Sequence, residues 1–347
     1  MRIATFNLWH GLSPSNPLAF EELEPSGRRE LRYAMQEECL KQIQVDCLLL
    51  QEVNPARERS QRLAHVLGFD FQYQPDLTGI KLLGYGPPFN LASGLVILSS
   101  QHLRFVKAVQ LSGPRFGFAG RMASWQMKES RYALLSEFVS PETGRTLLVN
   151  THLHHGLEAT SNFIEEAEKV CQSLELSESA IVEIKERLLA GNVRRELEIT
   201  RLLEEIDHLQ NRYETIVVGG DFNCSAESHV YQQMVEFGFI DGWKELHPDL
   251  AGLTFDGEQN FANHKLQERF PISIVLEDLT FSTKAKTALF QLARRQEARP
   301  RRIDYCWIKS KSKKTRVQAA ELFGQPNAEG LAPSDHFGVM VNFLSEG

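Results

Sequence analysis

Long apolar runs are missing: no stretch approaches the roughly 20 residues that span a bilayer, so an integral membrane anchor is not expected. The first residues, Met1-Arg2-Ile3-Ala4-Thr5-Phe6-Asn7, pass straight into a strand pattern, without the charged, apolar and cleavage regions of a signal peptide. Cysteine is scarce. Cys39, Cys47, Cys171, Cys224 and Cys306 are odd in number, scattered and without CxxC spacing, which argues against a zinc site or a disulfide framework. Free thiols in a reducing cytoplasm are the expectation. Internal repeats and low-complexity linkers are also lacking, so residues 1–347 are read as one domain with insertions, long for a single domain but within the range of sheet-rich folds. The 42% hydrophobic content is enough for a sizeable core.

A net charge of −7 argues against a general nucleic-acid binder but hides an asymmetry. Residues 156–192 hold eight Glu against Lys169, Lys185 and Arg187, a balance of −5. Residues 294–316 hold ten Lys and Arg against Glu297 and Asp304, a balance of +8. A basic stretch is commonly a solvated face. This one surrounds a candidate catalytic residue, which is the reason to expect an anionic substrate.

The chain is organised around Gly219-Gly220-Asp221-Phe222-Asn223, which follows the buried-strand pattern Thr215-Ile216-Val217-Val218. Asp221 and Asn223 are two positions apart, so in extended chain they point to one side. Other strand patterns also end in polar groups. Arg2 to Leu8 carries Asn7, and Asp46 to Glu52 ends at Glu52. A hairpin of 131–139 and 145–153 finishes in Thr151-His152-Leu153-His154-His155, Arg302 to Ile308 carries Asp304, and Asp335-His336 precede a last strand from Val339 to Phe343.

Helical periodicity places Leu31, Met35, Cys39 and Ile43 on one face, and a short helix with Leu63, Val66 and Leu67 stops at Gly68. A helical insertion is expected over about 157–211, broken at Gly191-Asn192, followed by a helix near 227–237 and a loop-rich insertion over about 243–300. Phe69, Phe71 and Tyr73 alternate as in a half-buried strand, and Gly94 to Leu98 reads as another. The apolar loop 78–90 is either tucked against the core or used to hold substrate.

The strand-end residues Asn7, Glu52, His152, Asp221, Asn223, Asp304, Asp335 and His336 form a coherent chemical set. Carboxylates and amide oxygens without thiolates suit a hard cation, Mg²⁺ or Mn²⁺, that also binds substrate phosphate. Histidines beside carboxylates can move protons or stabilise charge on a transferring phosphoryl group. Together they describe metal-assisted attack of water on phosphorus. Singly each has a structural explanation: Glu52 can cap a turn, His152 can be a satisfied core histidine, and His154, on the same strand face, is ambiguous between core and substrate contact. Asp304, inside an apolar strand, needs a partner to be buried, and a histidine would serve.

Phe6-Asn7, Gln51-Glu52, Asn150-Thr151-His152-Leu153, Gly220-Asp221-Phe222-Asn223, Arg302-Ile303-Asp304-Tyr305 and Ser334-Asp335-His336, in this order, resemble the endonuclease/exonuclease/phosphatase superfamily. The resemblance runs from residue 2 to residue 343. It implies an α/β (α+β) four-layer sandwich: two face-to-face mixed β-sheets flanked by helices, with the active site at one edge. By the same resemblance Glu52 ligates a Mg²⁺ or Mn²⁺ ion, with Asn7 beside it and Asp335 completing the metal region. Asp221 orients or deprotonates the water, and Asn223 holds a phosphate oxygen. Asp304 keeps His336 cationic, and His336 and His152 stabilise the transition state.

Thr151-His152-Leu153-His154, Ser93-Gly94-Leu95 and Ser334-Asp335-His336-Phe337-Gly338 look most like the neutral sphingomyelinase branch and its bacterial relatives. The histidine at 152 departs from the apurinic endonuclease pattern, and the Asp221 motif lacks the tryptophan of the inositol phosphatases. A phosphodiesterase acting on a small or lipid phosphodiester is therefore expected. A Mg²⁺-dependent nuclease or deadenylase and a non-catalytic phosphate-binding module are the alternatives. Expected partners are a phosphate-ester substrate and, by one reading or the other, nucleic acid or a membrane lipid met without an integral anchor. The oligomeric state is left open.

Overall fold

The computed structural model describes residues 1–13, 17–113, 117–126, 129–140, 143–256, 283–312 and 315–344. Apolar runs such as Thr215-Ile216-Val217-Val218 form strands covered on both faces, which is why they read as near-continuous hydrophobic stretches. One six-stranded sheet runs Arg316–Phe323, Gly338–Leu344, Arg2–Asn7, Cys47–Val53, Ser93–Ser99, Asp70–Leu77. The other runs Ile240–Asp241, Asp304–Ser310, Thr215–Asp221, Gly144–His152, Arg131–Ser140, Arg104–Ser112. Arg2–Asn7 pairs in parallel with Cys47–Val53, and Gly144–His152 with Thr215–Asp221. Flanking antiparallel pairs make both sheets mixed.

The sheets face one another over Ile3, Leu49 and Ile97 on one side and Leu134, Leu148 and Val217 on the other. The outer face of the first is covered by helices Arg28–Gln42 and Ala56–Leu67 through Leu40 and Leu63. The outer face of the second is covered by Glu178–Gln210 and His229–Glu236 through Ile199, Leu202, Ile206 and Met234. Helix, sheet, sheet, helix is the four-layer α/β sandwich that the resemblance implies. Between the sheets a buried polar bridge locks the motif strands together. Asn150 donates to the carbonyls of Leu50 and Val96 (both 2.8 Å) and accepts from Gln51 Nε2 at 2.7 Å.

Several local expectations are corrected. The first helix is present, but its inward face carries Arg32, Gln36, Glu37 and Leu40, while Leu31 is 46% exposed. Arg32 and Gln36 face inward because they donate to the carbonyls of Leu8 and Trp9, freed where the first strand ends. The helical insertion is Ser161–Ser173 and Glu178–Gln210, and the second helix runs unbroken through Gly191-Asn192. Gly191 serves close packing instead: a Cβ there would lie 2.8 Å from the Leu157 carbonyl oxygen.

Of the stretch read as loop-rich, Gly242–Leu246 and Thr283–Ala298 are helices, and residues 257–282 lie outside the described residues. Strands Arg104–Ser112 and Arg316–Phe323 have no apolar run because each is the outermost strand of its sheet and only partly buried. Ile80–Leu82, inside the apolar loop 78–90, is a strand of a separate three-stranded sheet. All five cysteines are free. No helix of the described residues is long and apolar enough to cross a membrane.

Candidate active site

Parallel pairing sets His152 beside Asp221, and antiparallel pairing on the other side sets Asp304 opposite Asp221. Three strands of one sheet therefore end on one spot. Gly219 and Gly220 permit it: a Cβ on Gly220 would stand 2.0 Å from the Thr151 carbonyl oxygen, and one on Gly219 would stand 2.5 Å from Leu49 Cδ1. The first sheet contributes Asn7 and Glu52 from adjacent parallel strands. Ser334 carries the last group in by donating to the Asn7 carbonyl at 2.6 Å while accepting the His336 amide at 3.2 Å.

Asp221 Oδ2 is the meeting point. Asn7 Nδ2 donates to it at 3.0 Å, His152 Nε2 lies at 3.5 Å and His336 Nε2 at 3.8 Å. Its partner oxygen Oδ1 accepts the Asn223 amide at 2.9 Å. Burial first, then the charge of Asp304, raises the Asp221 carboxyl to about 7. His336 Nδ1 lies 2.8 Å from Asp304 Oδ2. Burial works against charge on His336, yet Asp304, Asp221 and Asp335 hold it well above an ordinary histidine. The partner that the sequence required for Asp304 is therefore His336.

The two histidines differ. Burial and the charge of Arg131 push His152 well below its ordinary value, and its Nδ1 is buried without a hydrogen bond. One imidazole is held cationic and the other neutral. Asn7 Nδ2 lies 3.4 Å from Glu52 Oε1, while the Asn7 side-chain oxygen Oδ1 accepts from the Trp9 backbone amide at 2.9 Å. Burial would raise Glu52, but His10 first, then His152, the His10 amide and last His336 lower it to about 2. Asp335 is raised to about 6, by burial first and with Glu52 among the lesser causes.

A cation fits this donor set. Four carboxylates share one edge, Asp221 and Asp304 buried and Glu52 and Asp335 partly so, two of the four are raised, and Asp304 Oδ1 is buried without a hydrogen bond. Asp221, Asp304 and His336 also offer ligand atoms within 4.8 Å of one another. Carboxylates without thiolate suit a hard divalent ion, and His336, held cationic, is no ligand in that state.

Asn223 stands at φ 52, and its side chain donates to the Leu153 carbonyl at 3.0 Å. His154 lies elsewhere. It clusters with Glu129 and His155, and its backbone amide donates to Glu198 at 2.7 Å. Burial is the main cause that takes its imidazole to about 2. The chain turns after His152, where the strand ends, so the shared strand face does not carry His154 toward Asp221.

Sequence reasoning missed His10, whose Nε2 is 3.7 Å from Glu52 Oε2, and Thr254, whose hydroxyl accepts the amides of Ile303 and Asp304. It also missed Arg131, 1% exposed, with Nε and Nη1 unpartnered. None sits in a motif. Within the basic stretch two cations are neutralised: Arg302 is buried against Asp241 at 2.7 Å, and Arg301 is buried between Glu297 at 3.1 Å and Glu158 at 3.6 Å.

Among curated proteins none matches the chain. Solved structures share its fold. An endonuclease/exonuclease/phosphatase family protein from Bacteroides thetaiotaomicron is 16% identical, with 100% of this chain and 98% of that chain covered and a TM-score of 0.57. The human Nocturnin catalytic domain with bound sulfate is 16% identical (99% and 92% covered, TM-score 0.52). D. rerio TDP2 complexed with a single-strand DNA product is 14% identical (99% and 98% covered, TM-score 0.51). The model of the Endonuclease/Exonuclease/phosphatase family matches residues 4–336. With the motif strands converging on one buried carboxylate and that match over nearly all its length, the chain belongs to the endonuclease/exonuclease/phosphatase family of metal-dependent phosphoester hydrolases.

Proposed function

We propose that the protein hydrolyses a small or lipid phosphodiester by attack of water, with Asp221 as the group that orients and deprotonates it. The observation that carries this reading is the convergence of Asn7, His152 and His336 on Asp221 Oδ2, with that carboxyl raised to about 7. A base poised near the working pH accepts a proton most effectively.

Glu52 and Asp335 would hold Mg²⁺ or Mn²⁺, with Asn7 beside it. Such an ion supplies charge neutralisation at phosphate oxygens. His336, kept cationic by Asp304, would stabilise negative charge on the phosphoryl oxygens, and neutral His152 would donate a hydrogen bond from Nε2. Asn223 would hold a further phosphate oxygen through its amide. The presence of every group argues against a phosphate-binding module without turnover.

A nuclease is the second reading, favoured by the D. rerio TDP2 structure with its single-strand DNA product. The neutralised state of Arg301 and Arg302 weighs against the basic stretch as a backbone track. Turnover of bis-p-nitrophenyl phosphate, sphingomyelin, plasmid DNA and poly(A), each with Mg²⁺ or EDTA, separates the readings. Metal-dependent release from bis-p-nitrophenyl phosphate and sphingomyelin supports ours; metal-dependent cleavage confined to DNA or poly(A) would replace it with the nuclease.

A further inference from the structure

Ile80–Leu82, Phe118–Ala119 and Ala123–Trp125 form the small separate sheet, with Ala123–Trp125 in the middle. Its register puts Trp125 opposite both Ile80 and Phe118, and Leu82 opposite Ala123. Residues directly opposite share a face. That face is open: Trp125 is 59% exposed, Phe118 54% and Leu82 68%. The other face carries Lys81, Ser124 and Ala119, all buried. Lys81 donates to the carbonyls of Gly86 and Pro88, and Ser124 donates to that of Gly79 while accepting from Thr78. A water-facing antiparallel sheet does the reverse, with apolar residues in and polar residues out. This one is inside out.

The turn beside it repeats the inversion. Leu82 and Tyr85 exchange backbone hydrogen bonds at 2.8 and 3.0 Å across a tip made of Leu83 (φ 53) and Gly84 (φ 89). Two successive positive φ values favour Asn-Gly, yet the position holds a leucine, which with Tyr85 stands out into solvent. Among the described residues none covers this face. The charge pattern is equally biased. Residues 77–128 contain no Asp or Glu in a chain of net charge −7; of their cations, Lys81 is buried on the opposite face and Arg104 and Lys107 pair with Glu137 and Glu205, while the exposed Arg121 adjoins the sheet. The sheet is rooted at the active-site edge, since Gln126 ties its last strand to Thr78 and Asp76, and Asp76 lies within electrostatic reach of Arg131 and Glu52.

We propose that this face docks on an anionic lipid surface, with Leu83, Tyr85 and Trp125 entering the headgroup region. An exposed apolar tip with aromatic side chains suits that boundary, and a segment free of carboxylates meets anionic headgroups without repulsion. Single-stranded nucleic acid would stack on Trp125 and Tyr85 but leaves Leu82 and Leu83 without a role, so the lipid surface accounts for more of the face. Docking stands on the surface alone; that it brings the active site to a phosphodiester in the bilayer rests on the function proposed above.

Trp125 provides the probe, because Trp9, Trp243 and Trp307, the other three tryptophans, are buried. Full-length protein in EDTA is mixed with phosphatidylcholine vesicles with or without about a quarter phosphatidylglycerol. Expected are co-sedimentation and a blue-shifted tryptophan emission, both stronger with phosphatidylglycerol. The Leu83→Asn/Tyr85→Ser variant, whose Asn suits the turn, should bind about tenfold or more weakly with unchanged turnover of bis-p-nitrophenyl phosphate. No binding to either vesicle, binding that the double variant leaves intact, or a Trp125 shift produced by poly(dT) or by dimerisation in its place would overturn the proposal. Vesicle binding by a protein that turns over no phosphodiester would keep the docking face and remove the function.

Discussion

Asp221 is buried among groups that pull it in opposite directions, and the result is a carboxyl near 7 beside a second one, Asp335, near 6. Both are raised, so the folded protein without metal retains protons that the unfolded chain, with ordinary carboxyls, has already released. Its stability on their account is full below about pH 4 and falls as pH rises through about 6 to 7. A divalent cation binds only the ionised forms and offsets that loss. The rise in Tm on adding Mg²⁺ over EDTA should therefore grow with pH across this window, reaching about 2–4 °C or more. Calorimetry that finds a flat or shrinking gain would contradict it.

Asp304 acts through His336, and its removal separates that role from packing. Asp304→Asn keeps the shape but removes the nearest charge holding His336 protonated. We expect turnover to fall by about 10²-fold or more and the alkaline limb of the pH–rate profile to move to lower pH. A loss of rate with the limb unmoved would make Asp304 merely structural. These residues were legible in the sequence because each ends a strand pattern. His10, Thr254 and Arg131 were not, since their roles come from contacts across the fold and not from local spacing.

At the scale of elements, the site depends on how closely the strand ends approach. Gly220 lies against the Thr151 carbonyl, and both flanking strands pair through that level. Gly220→Ala should cost about 2–4 kcal/mol and displace Asp221 from His152, so denaturant midpoint and turnover should fall together. A variant of full stability and activity would show that the close approach is not needed. The strands at sheet centres were readable because burial on both faces demands an apolar run. Edge strands were not, because half their surface meets solvent. The first helix shows a further limit: periodicity found the helix, but Arg32 and Gln36 won the inward face because unpaired carbonyls at the end of the first strand needed donors.

For the whole molecule, the four-layer architecture brings residues from positions 7 to 336 to one edge. Sequence order and strand-end chemistry pointed to that edge, whereas the loops that choose a substrate carry no periodic signal. The inside-out sheet was hidden for the same reason: Ile80, Leu82 and Trp125 show their inversion only once their partners are known. The central claim is that Asp221 and His336 drive metal-dependent hydrolysis. It is tested most directly by turnover of bis-p-nitrophenyl phosphate by wild type, Asp221→Ala and His336→Ala, each with Mg²⁺ or EDTA and each shown to be folded. The account predicts wild-type turnover that EDTA abolishes and a loss of about 10³-fold in both variants; activity that survives EDTA or either substitution would contradict it.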